Sequence, residues 1–490
     1  MLSPTVSNVR PRPRDGRATI GMVREFSTKI RVEYVDRIEM SDVKKPIHTY
    51  LRTCLPEEAI HGDDEKARNN ERVDSGFAVS FLGTGGGGVN SARRIGSGTA
   101  LRLSGTTFLF DACEGIQRQL TFSRIFMKDI TKIFVTHLHG DHVYGLPGLL
   151  LSLQIAGKGS LRSDGSNSLQ EKPVIRVYGP PGLYNFLAMT LTLSCSPISY
   201  ANIVVYELMG GQNERGPRER NRIHRAKKGS VGKQNKQASH KNIFLGNYPE
   251  ISYANLARRS IQRNDDGTWT IEETDNISEL LMKGVEDVSL SNEVNAGPLR
   301  RFNIKAAEVF HQPGVQTFGF TVEESTPPRK INAAKATELG VRPGPKYKLL
   351  KNGFPVMSDD ESKEIKPEQV VADPVRPRKF AIIGDNSRIS RPMEQLCQGA
   401  DVLVHEATIL DNHDDKKALK RGHSSALTAG KVAREVKAKA LVLNHFSPKL
   451  SPEEMDDIVQ SAEKSNSGVS QIAASFDFME LWVPRGGYDF

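Results

Sequence analysis

Residues Thr136-His137-Leu138-His139-Gly140-Asp141-His142 directly follow an apolar, β-branched run and contain four potential metal ligands. A tight turn at the end of a strand can direct alternate side chains to a common centre. We therefore expect His137 and His139 to bind one ion, and Asp141 and His142 to bind a neighbouring one. Imidazole and carboxylate ligands without thiolate suit zinc, with manganese as the alternative. The chain has only 12 histidines, so a surface loop rich in histidine by chance explains this grouping poorly.

Two metal ions need more ligands than one loop provides, and three further candidates occur later in the chain. His311 follows the run 306–310, Asp385 follows the run 380–384, and His445 follows the run 440–444. Each lies where an apolar predicted strand ends. A single aspartate in such a place is often a turn former or helix cap. The position that the three share makes them candidate ligands.

The composition indicates a globular protein that is intracellular. The chain has 490 residues, 38% of them hydrophobic, and a formal net charge of +9, which favours a polyanionic partner. No apolar stretch is long enough to span a bilayer, so we expect no membrane insertion. Four cysteines lie far apart without a CxxC pair: Cys54, Cys113, Cys195 and Cys397. This spacing argues against a disulfide framework or a thiolate zinc site.

Predicted strands and helices alternate along the chain and are interrupted by polar, basic segments. This pattern predicts an α/β layered core with insertions. Residues 1–75 are predicted to form an N-terminal extension. The basic stretch Met1–Arg31 is equally consistent with an organellar transit peptide and with a disordered tail. The core is predicted at 76–207, 301–323 and 379–490. A basic flexible insertion is predicted at 208–300, where RNA contact and a merely solvated loop stay open. A second, Pro- and Lys-rich insertion occupies 324–378.

The His-x-His-x-Asp-His turn, together with the three later candidates, resembles the metallo-β-lactamase superfamily. The resemblance implies an αββα sandwich with the active site at one rim of its two sheets. It also implies that His137, His139, His311 and Asp385 hold one ion, and that Asp141, His142, His445 and a bridging Asp385 hold the other. A hydroxide between the ions would be the nucleophile, because two ions about 3.5–4 Å apart lower the pKa of a shared water toward 7.

Further motifs resemble the ribonuclease Z family within that superfamily: Asp111–Gln119, Gly145–Leu149, Phe318–Phe320, His405–Thr408 and Asn444–Ser447. The resemblance implies an endoribonuclease that removes the 3′ trailer of precursor tRNA with two zinc ions and leaves a 3′-hydroxyl. Asp141 would orient or deprotonate the attacking water. Glu406 and His423 are the two candidates for the proton donor to the leaving oxygen.

The insertion at 324–378 matches the position of the family's tRNA-binding arm, and Gly344-Pro345-Lys346-Tyr347-Lys348 looks like the arm's Gly-Pro motif. Gly344, Pro345, Lys346 and Lys348 are the expected tRNA contacts, and the likeness to short family members implies a homodimer. The family's basic motif that senses the RNA 3′ end is replaced by the glycine-rich run 83–90, followed by Arg93 and Arg94 as candidate contacts. Rejection of tRNA with a CCA end is therefore not predicted.

Three rival interpretations are weaker. Gly83-x-Gly85-x-x-Gly88 resembles a dinucleotide-binding loop, but the residues after it suit a β-hairpin and not a helix. A small-molecule hydrolase of the same fold, a lactonase or an arylsulfatase-like enzyme, would need no basic arm. An RNA-binding scaffold without activity would have no need of seven ligands. The compartment, whether nucleus, cytosol or organelle, stays open.

Overall fold

The computed structural model describes residues 31–33, 76–87, 91, 94–158, 172–211, 253–272, 302–326, 329–373, 376–409, 421–451, 454–465, 469 and 471–483. In this part of the chain, two large β-sheets pack face to face, and helices cover both outer surfaces. The predicted αββα sandwich is confirmed.

The first sheet has antiparallel strands at one edge and parallel strands at the other, in the order β1-β19-β2-β3-β4-β5-β6-β7-β8. The parallel part begins where β4 pairs with β5 and continues to β8. The strands are β1 (Arg31–Glu33), β2 (Phe77–Gly83), β3 (Gly98–Leu103), β4 (Thr106–Phe110), β5 (Ile130–Phe134), β6 (Val174–Gly179), β7 (Asn202–Met209), β8 (Leu256–Gln262) and β19 (Glu480–Trp482).

The second sheet has the order β15-β10-β11-β14-β16-β17-β18, and β9 also pairs with β10. Its strands from β14 to β18 are parallel. The strands are β9 (Thr268–Ile271), β10 (Phe302–Phe310), β11 (Gln316–Glu324), β14 (Lys379–Ile383), β15 (Arg388–Ile389), β16 (Val402–Glu406), β17 (Ala440–Asn444) and β18 (Gln471–Ala474).

Helices cover the outer faces of both sheets. The first sheet is covered by α1 (Ile116–Phe122), α3 (Leu146–Lys158) and α4 (Leu183–Leu193), and the second by α8 (Arg391–Cys397), α9 (Ala426–Glu435) and α10 (Glu454–Lys464). The short helix α2 (Gly140–Val143) lies in the histidine-rich turn. The layering follows from the period of two in the strands, since alternate side chains point to opposite faces.

The strand sequences show this alternation directly. On β4, Phe108 and Phe110 pack between the sheets, while Leu109 faces the helices. On β16, Val404 faces the partner sheet and Leu403 faces α9 and its neighbours. Burial of each such side chain contributes roughly 1.5–3 kcal/mol. Removing alternate apolar residues on either face would therefore separate one layer from the next.

The carboxyl ends of several strands meet at one rim of the sandwich. In the first sheet, β5 leads directly into the histidine-rich turn. In the second, β10 and β14 both pair antiparallel with β11, so they run in the same direction and end together. The backbone N–H of Phe318 on β11 donates to the carbonyl of Thr136 at 2.9 Å, which joins the two sheets there. This rim is where the candidate ligands emerge.

The predicted boundaries of the flexible insertion at 208–300 are wrong for residues 253–272, which form β8 and β9 of the core. Trp269 is fully buried, meets the Phe318 ring edge-on at 5.1 Å and donates Nε1–H to the carbonyl of Met209. The arginines of β8 made this segment look solvated, although Leu256 and Trp269 are core residues. The remaining insertion, 212–252 and 273–300, lies outside the described residues, as does Met1–Arg31 except for Arg31.

The predicted arm forms a small module with its own apolar cluster, which includes Ala336, Leu350 and Val370. Its elements are α5 (Ala333–Glu338), α6 (Pro345–Lys351), β12 (Val356–Met357), β13 (Glu364–Ile365) and α7 (Pro367–Val370). At its base, the Arg378 guanidinium donates to both carboxylate oxygens of Glu324, at 2.9 and 2.6 Å. The module is thus anchored where β11 ends and β14 begins.

Among the described helices, none combines the length and the apolar character needed to cross a membrane.

Candidate metal centre

The histidine-rich turn is fixed at its start by a buried carboxylate. Asp111 follows β4, and its two oxygens accept from the backbone N–H of Thr136 at 2.7 Å and from the Thr136 hydroxyl at 2.9 Å. Phe134, the last residue of β5, stacks between Phe110 at 4.9 Å and Tyr178 at 5.1 Å. The turn therefore leaves the sheet from a rigid aromatic stack, and the direction of its side chains is set before any ligand binds.

The structure brings four of the predicted ligands into one cluster: His137, His139, His311 and Asp385 each offer an atom within 4.8 Å of the others. His311 Nε2 lies 3.4 Å from His139 Nδ1, and Asp385 Oδ2 lies 3.8 Å from His137 Nε2. We refer to these four residues as the first ligand cluster. Three imidazoles and one carboxylate form a donor set that suits zinc.

Asp141, His142 and His445 form the second ligand cluster by the same criterion. His142 Nε2 lies 3.1 Å from His445 Nε2, and Asp141 Oδ2 lies 3.8 and 3.5 Å from these two nitrogens. The other oxygen of Asp385, Oδ1, lies 3.5 Å from His142 Nε2 and 3.3 Å from His445 Nε2. Asp385 thus lies between the clusters with one oxygen toward each, the position that the resemblance implied for a bridging ligand.

The protonation states of the first ligand cluster suit a cation, whereas in the second cluster burial is outweighed by the Asp111 and Asp385 carboxylates, which raise the pKa of His142. Burial lowers the pKa of His137 well below its usual value and lowers that of His139 to about 4, so both imidazoles keep a free lone pair. Burial alone would raise the pKa of Asp385, but the charges of His445 and His142 hold it well below its usual value. His137 Nε2 is buried and, in the described part of the chain, has no hydrogen-bond partner. A buried nitrogen of this kind is expected to have a partner, and a metal ion would supply one.

Each cluster is oriented by contacts behind the ligands. Asp111 Oδ2 accepts from His142 Nδ1 at 2.7 Å, the carbonyl of Gly422 accepts from His311 Nδ1 at 2.6 Å, and Thr408 Oγ1 lies 3.0 Å from His445 Nδ1. Such contacts fix the tautomer and the ring direction of a metal-binding histidine. Asp111 and Thr408 belong to the quoted motifs, but no role is predicted for either from the sequence. Their positions after β4 and β16 were the signal that could have identified them.

Backbone conformation also shapes the second cluster. His445 has φ 58° and Asp111 has φ 60°, both in the left-handed region that non-glycine residues rarely adopt. Each costs about 1–3 kcal/mol and persists only where the surroundings enforce it. A Cβ on Gly86 would lie 2.4 Å from the His445 ring, so this position requires glycine. The strain and the close approach together direct the His445 imidazole toward Asp385.

The two candidate proton donors differ in their surroundings. Glu406 is buried, and its oxygens accept from the Asn386 N–H, the Thr408 hydroxyl and His423 Nδ1, the last at 3.0 Å. His423 is partly exposed and lies 3.7 Å from Asp385 Oδ2. Burial disfavours the imidazolium, but the facing Glu406 carboxylate outweighs burial and raises the pKa of His423 to about 9. His423 can thus carry a proton at the edge of the site, with Glu406 behind it.

The predicted substrate contacts lie elsewhere. Arg94 donates to Thr84 Oγ1 at 2.7 Å and to the Ser475 carbonyl at 2.8 Å, and its guanidinium lies 4.7 Å above the Phe446 ring. These contacts give Arg94 a place in the scaffold beside His445, and its binding role stays a prediction. Arg93 lies outside the described residues.

In the arm, Gly344 caps α6, whose first residue is Pro345. Lys346 Nζ forms an ion pair with Asp359 at 3.0 Å, whereas Lys348 is exposed.

Comparison with known proteins gives related sequences across most of the chain. A protein-family model described as "Anti-Pycsar protein Apyc1" matches residues 77–161. The human protein named zinc phosphodiesterase ELAC protein 1 is 33% identical over 415 residues, 83% of this chain and 98% of its own. A protein named ribonuclease Z from Picosynechococcus sp. is 29% identical and covers 83% of this chain and 96% of its own. The protein in the crystal structure of human tRNase Z, short form, is 26% identical to this chain. The match covers 83% of this chain and 99% of its own, with a TM-score of 0.48.

The contact of Asp111 with His142 yields a first prediction. Asp111→Asn should lower the affinity for the metal in the second cluster by roughly 10–100-fold, because the amide no longer attracts the proton on His142 Nδ1. Asparagine tolerates a positive φ, so the fold should survive. Zinc and manganese titration by calorimetry measures the effect. Asp456→Asn, an exposed change on α10, is the control, and equal affinities in the two variants would contradict the orienting role.

Proposed function

Since the chain belongs to the ribonuclease Z family, we propose that it is the metal-dependent endoribonuclease that removes the 3′ trailer of precursor tRNA and leaves a 3′-hydroxyl on the tRNA. The observation that carries the proposal is that the seven candidate ligands lie in two adjoining clusters and that Asp385 has one oxygen toward each. The human and cyanobacterial relatives extend over 83% of the chain, which supports the same reaction here. Their names do not favour the alternative, a lactonase or an arylsulfatase-like hydrolase.

We assign one zinc ion to each ligand cluster, with Asp385 shared and manganese as the alternative. Imidazole and carboxylate donors suit either metal. Metal ions held by these residues would supply Lewis-acid stabilisation of the phosphodiester and would lower the pKa of water toward 7. The protein holds the donors in place through Asp111, Thr408 and the Gly422 carbonyl. This arrangement suits hydrolysis of a phosphodiester, because the negative charge that develops on the phosphoryl oxygens in the transition state would meet cations held in fixed positions.

Asp141 takes the role of orienting the attacking water. Its Oδ2 accepts from the Gly87 N–H at 3.0 Å and lies between His142 and His445. The neighbouring His445 and His142 outweigh burial and lower the pKa of Asp141, so the carboxylate is ionised at neutral pH. An ionised carboxylate held by a backbone N–H can accept a hydrogen bond from water and so orient it. Asp141 is therefore both a ligand candidate and the group that orients the water, and its lowered pKa makes it a weaker general base.

His423 takes the role of proton donor to the leaving 3′-oxygen. Glu406 keeps the His423 imidazole protonated and holds it in position. Glu406 is buried, and its oxygens already accept three hydrogen bonds from protein groups. His423, with 15% of its side chain exposed, is the more accessible of the two to substrate. Cations bound next to Asp385 would lower the pKa of His423 from about 9 and so make it a stronger general acid.

The arm module takes the role of a distant tRNA-binding element. It presents Lys348 on the exposed face of α6 and folds around its own cluster, away from the rim. Lysine on a preformed turn binds phosphate as a point charge. By likeness to short family members, we also propose that two copies associate and that the arm of one presents tRNA to the other. Sedimentation of the purified chain tests this, and a monomer at all concentrations would contradict it.

The reaction itself gives a second prediction. Purified protein should cut a precursor tRNA with a 3′ trailer just after the discriminator base, lose activity with a chelator and regain it with Zn²⁺ or Mn²⁺. Asp141→Ala should lower kcat roughly 10²–10⁴-fold, as expected for a positioned catalytic group. Gel analysis of the end-labelled RNA measures both. Asp456→Ala should cut like the wild type. Cleavage that persists in chelator, or activity only on lactones or sulfate esters, would overturn the proposal.

A third prediction tests whether His423 donates the proton to the leaving oxygen. His423→Asn should lower kcat on precursor tRNA roughly 10²–10⁴-fold. It should have much less effect on bis(p-nitrophenyl) phosphate, because the nitrophenolate leaves without a proton. Steady-state kinetics on both substrates measure the difference. Asp141→Ala is the matched variant, since it should slow both substrates alike. An equal loss on the two substrates for His423→Asn would contradict a donor role.

The fourth prediction concerns the arm. Lys348→Ala should raise KM for precursor tRNA roughly three- to tenfold, the effect of one lost phosphate contact, while kcat and hydrolysis of bis(p-nitrophenyl) phosphate stay unchanged. Lys346→Ala should do less, because Asp359 already neutralises that ammonium. Lys431→Ala on α9, an exposed position outside the arm, serves as the control. Identical KM values for all three variants would argue against tRNA binding by α6.

A further inference from the structure

A second cavity, of about 360 Å³, opens at the same rim as the ligand clusters. It lies where β8 and β10 end and where β15 leads into α8, and its walls include Arg263, Glu308, Phe310, Arg388 and Arg391. We call it the arginine pocket. No part of the proposed function so far uses these residues.

The arginine pocket shares a wall with the ligand clusters. Phe310 directly precedes the candidate ligand His311, and its carbonyl accepts from the Ser387 N–H at 2.7 Å and the Ser387 hydroxyl at 2.9 Å. Arg388 pairs with Phe310 across β10 and β15, three residues after Asp385. Each of these two chain segments therefore carries a candidate ligand and a pocket residue within three positions of each other. A strand of RNA held at the clusters would need only a short continuation along the rim to enter the pocket.

The pocket has an excess of positive charge. It contains three guanidinium groups and one carboxylate, that of Glu308, which is buried in the wall. In the described part of the chain, no carboxylate lies within ion-pair distance of Arg263, Arg388 or Arg391. Besides the hydrogen bond from Thr268, the charge of Arg263 helps to lower the pKa of Asp266 nearby. Arg388 and Arg391 are exposed to solvent, and Arg263 is half-buried. Guanidinium groups gathered in one concave site, with no ion pair to a described carboxylate, attract an anion.

Aromatic rings hold two of the arginine side chains, and among the described residues no group accepts a hydrogen bond from either of them. The Arg388 guanidinium lies 4.2 Å from the centre of the Phe310 ring. Arg263 lies 5.8 Å from the Trp269 ring, and within the described part of the chain its buried Nε has no hydrogen-bond partner. A buried donor without an acceptor is rare in folded proteins and points to a ligand with acceptor atoms.

We propose that the arginine pocket binds a phosphodiester group of the RNA strand, next to the one held for cleavage. The inference rests on the proposed function and adds a subsite to it. Arginine binds phosphate oxygens in a bidentate manner, and the cavity has the volume of a small-ligand site. The pocket fixes the strand close to the reacting bond, whereas the arm binds the substrate at a distance.

The experiment compares Arg388→Gln and the double variant Arg388→Gln/Arg391→Gln with Arg434→Gln, an exposed change on α9. Arg388→Gln should raise KM for precursor tRNA about tenfold, the effect of one charge-assisted hydrogen bond, and leave kcat within about twofold. The plot of log(kcat/KM) against log[salt] should become shallower by about 0.7 for each lost contact. Hydrolysis of bis(p-nitrophenyl) phosphate, which has no neighbouring phosphate, should not change in any variant.

Precursor tRNAs with 3′ trailers of different lengths identify which phosphate of the RNA strand the pocket binds. If the KM effect of Arg388→Gln disappears with a one-nucleotide trailer, the pocket binds the trailer; if it persists, the pocket binds the tRNA side. Both results support the subsite. The subsite is overturned if the double variant matches Arg434→Gln in KM and salt dependence. It is also overturned if the double variant loses hydrolysis of bis(p-nitrophenyl) phosphate to the same degree, because the arginines would then only support the metal centre.

The activity of the wild-type protein distinguishes failure of the subsite from failure of the proposed function. Wild-type protein that hydrolyses bis(p-nitrophenyl) phosphate but leaves precursor tRNA intact would overturn the proposed function, and the subsite with it. Wild-type protein that cuts precursor tRNA, with a double variant that does the same at equal KM, would overturn the subsite alone.

Discussion

The contact of Asp385 with both ligand clusters is the constraint on which the rest of the structure depends. Its carboxylate is buried, and its oxygens lie 3.8 Å from His137 Nε2 and 3.3 Å from His445 Nε2. Taking one carboxylate and several imidazoles out of water costs several kcal/mol per charge. The cost is offset only when the partners are held in good geometry. Two sheets, a turn and several loops therefore have to meet within a few ångströms.

The aromatic core between the sheets provides that rigidity. Phe134 ends β5 in a stack with Phe110 and Tyr178, directly before the histidine-rich turn. The hydrogen bond from Phe318 to the Thr136 carbonyl then ties the start of the turn to the second sheet. A Cβ on Gly384 would lie 2.7 Å from that of Thr136 and 2.8 Å from the Phe318 carbonyl, so only glycine lets β14 approach this closely. The close-packed interior transmits small shifts at these contacts to the ligands.

The arm module and the arginine pocket are the two places where we propose contact with a long polyanion. The arm is joined to the core through the Glu324–Arg378 ion pair, which is largely buried and whose disruption would cost about 3–5 kcal/mol. Its orientation is thereby coupled to β11 and β14, the strands that also flank the rim. The arginine pocket lies on that rim, beside His311. The arm is thus joined to β11 and β14, whereas the pocket lies beside β10 and β15.

Local patterns along the chain were enough to predict the candidate ligands and the layered fold. A turn after an apolar strand and three polar residues at later strand ends are visible without any pairing information, and the structure brings all seven together. Tertiary structure alone decided which oxygen of Asp385 faces which cluster, that His423 is the accessible member of its pair with Glu406, and that β8 and β9 belong to the core. It also placed Arg94 in the scaffold and formed the arginine pocket. These features depend on the register between strands that are far apart in the chain, and hydrophobic periodicity along one strand contains no information about the strand it pairs with.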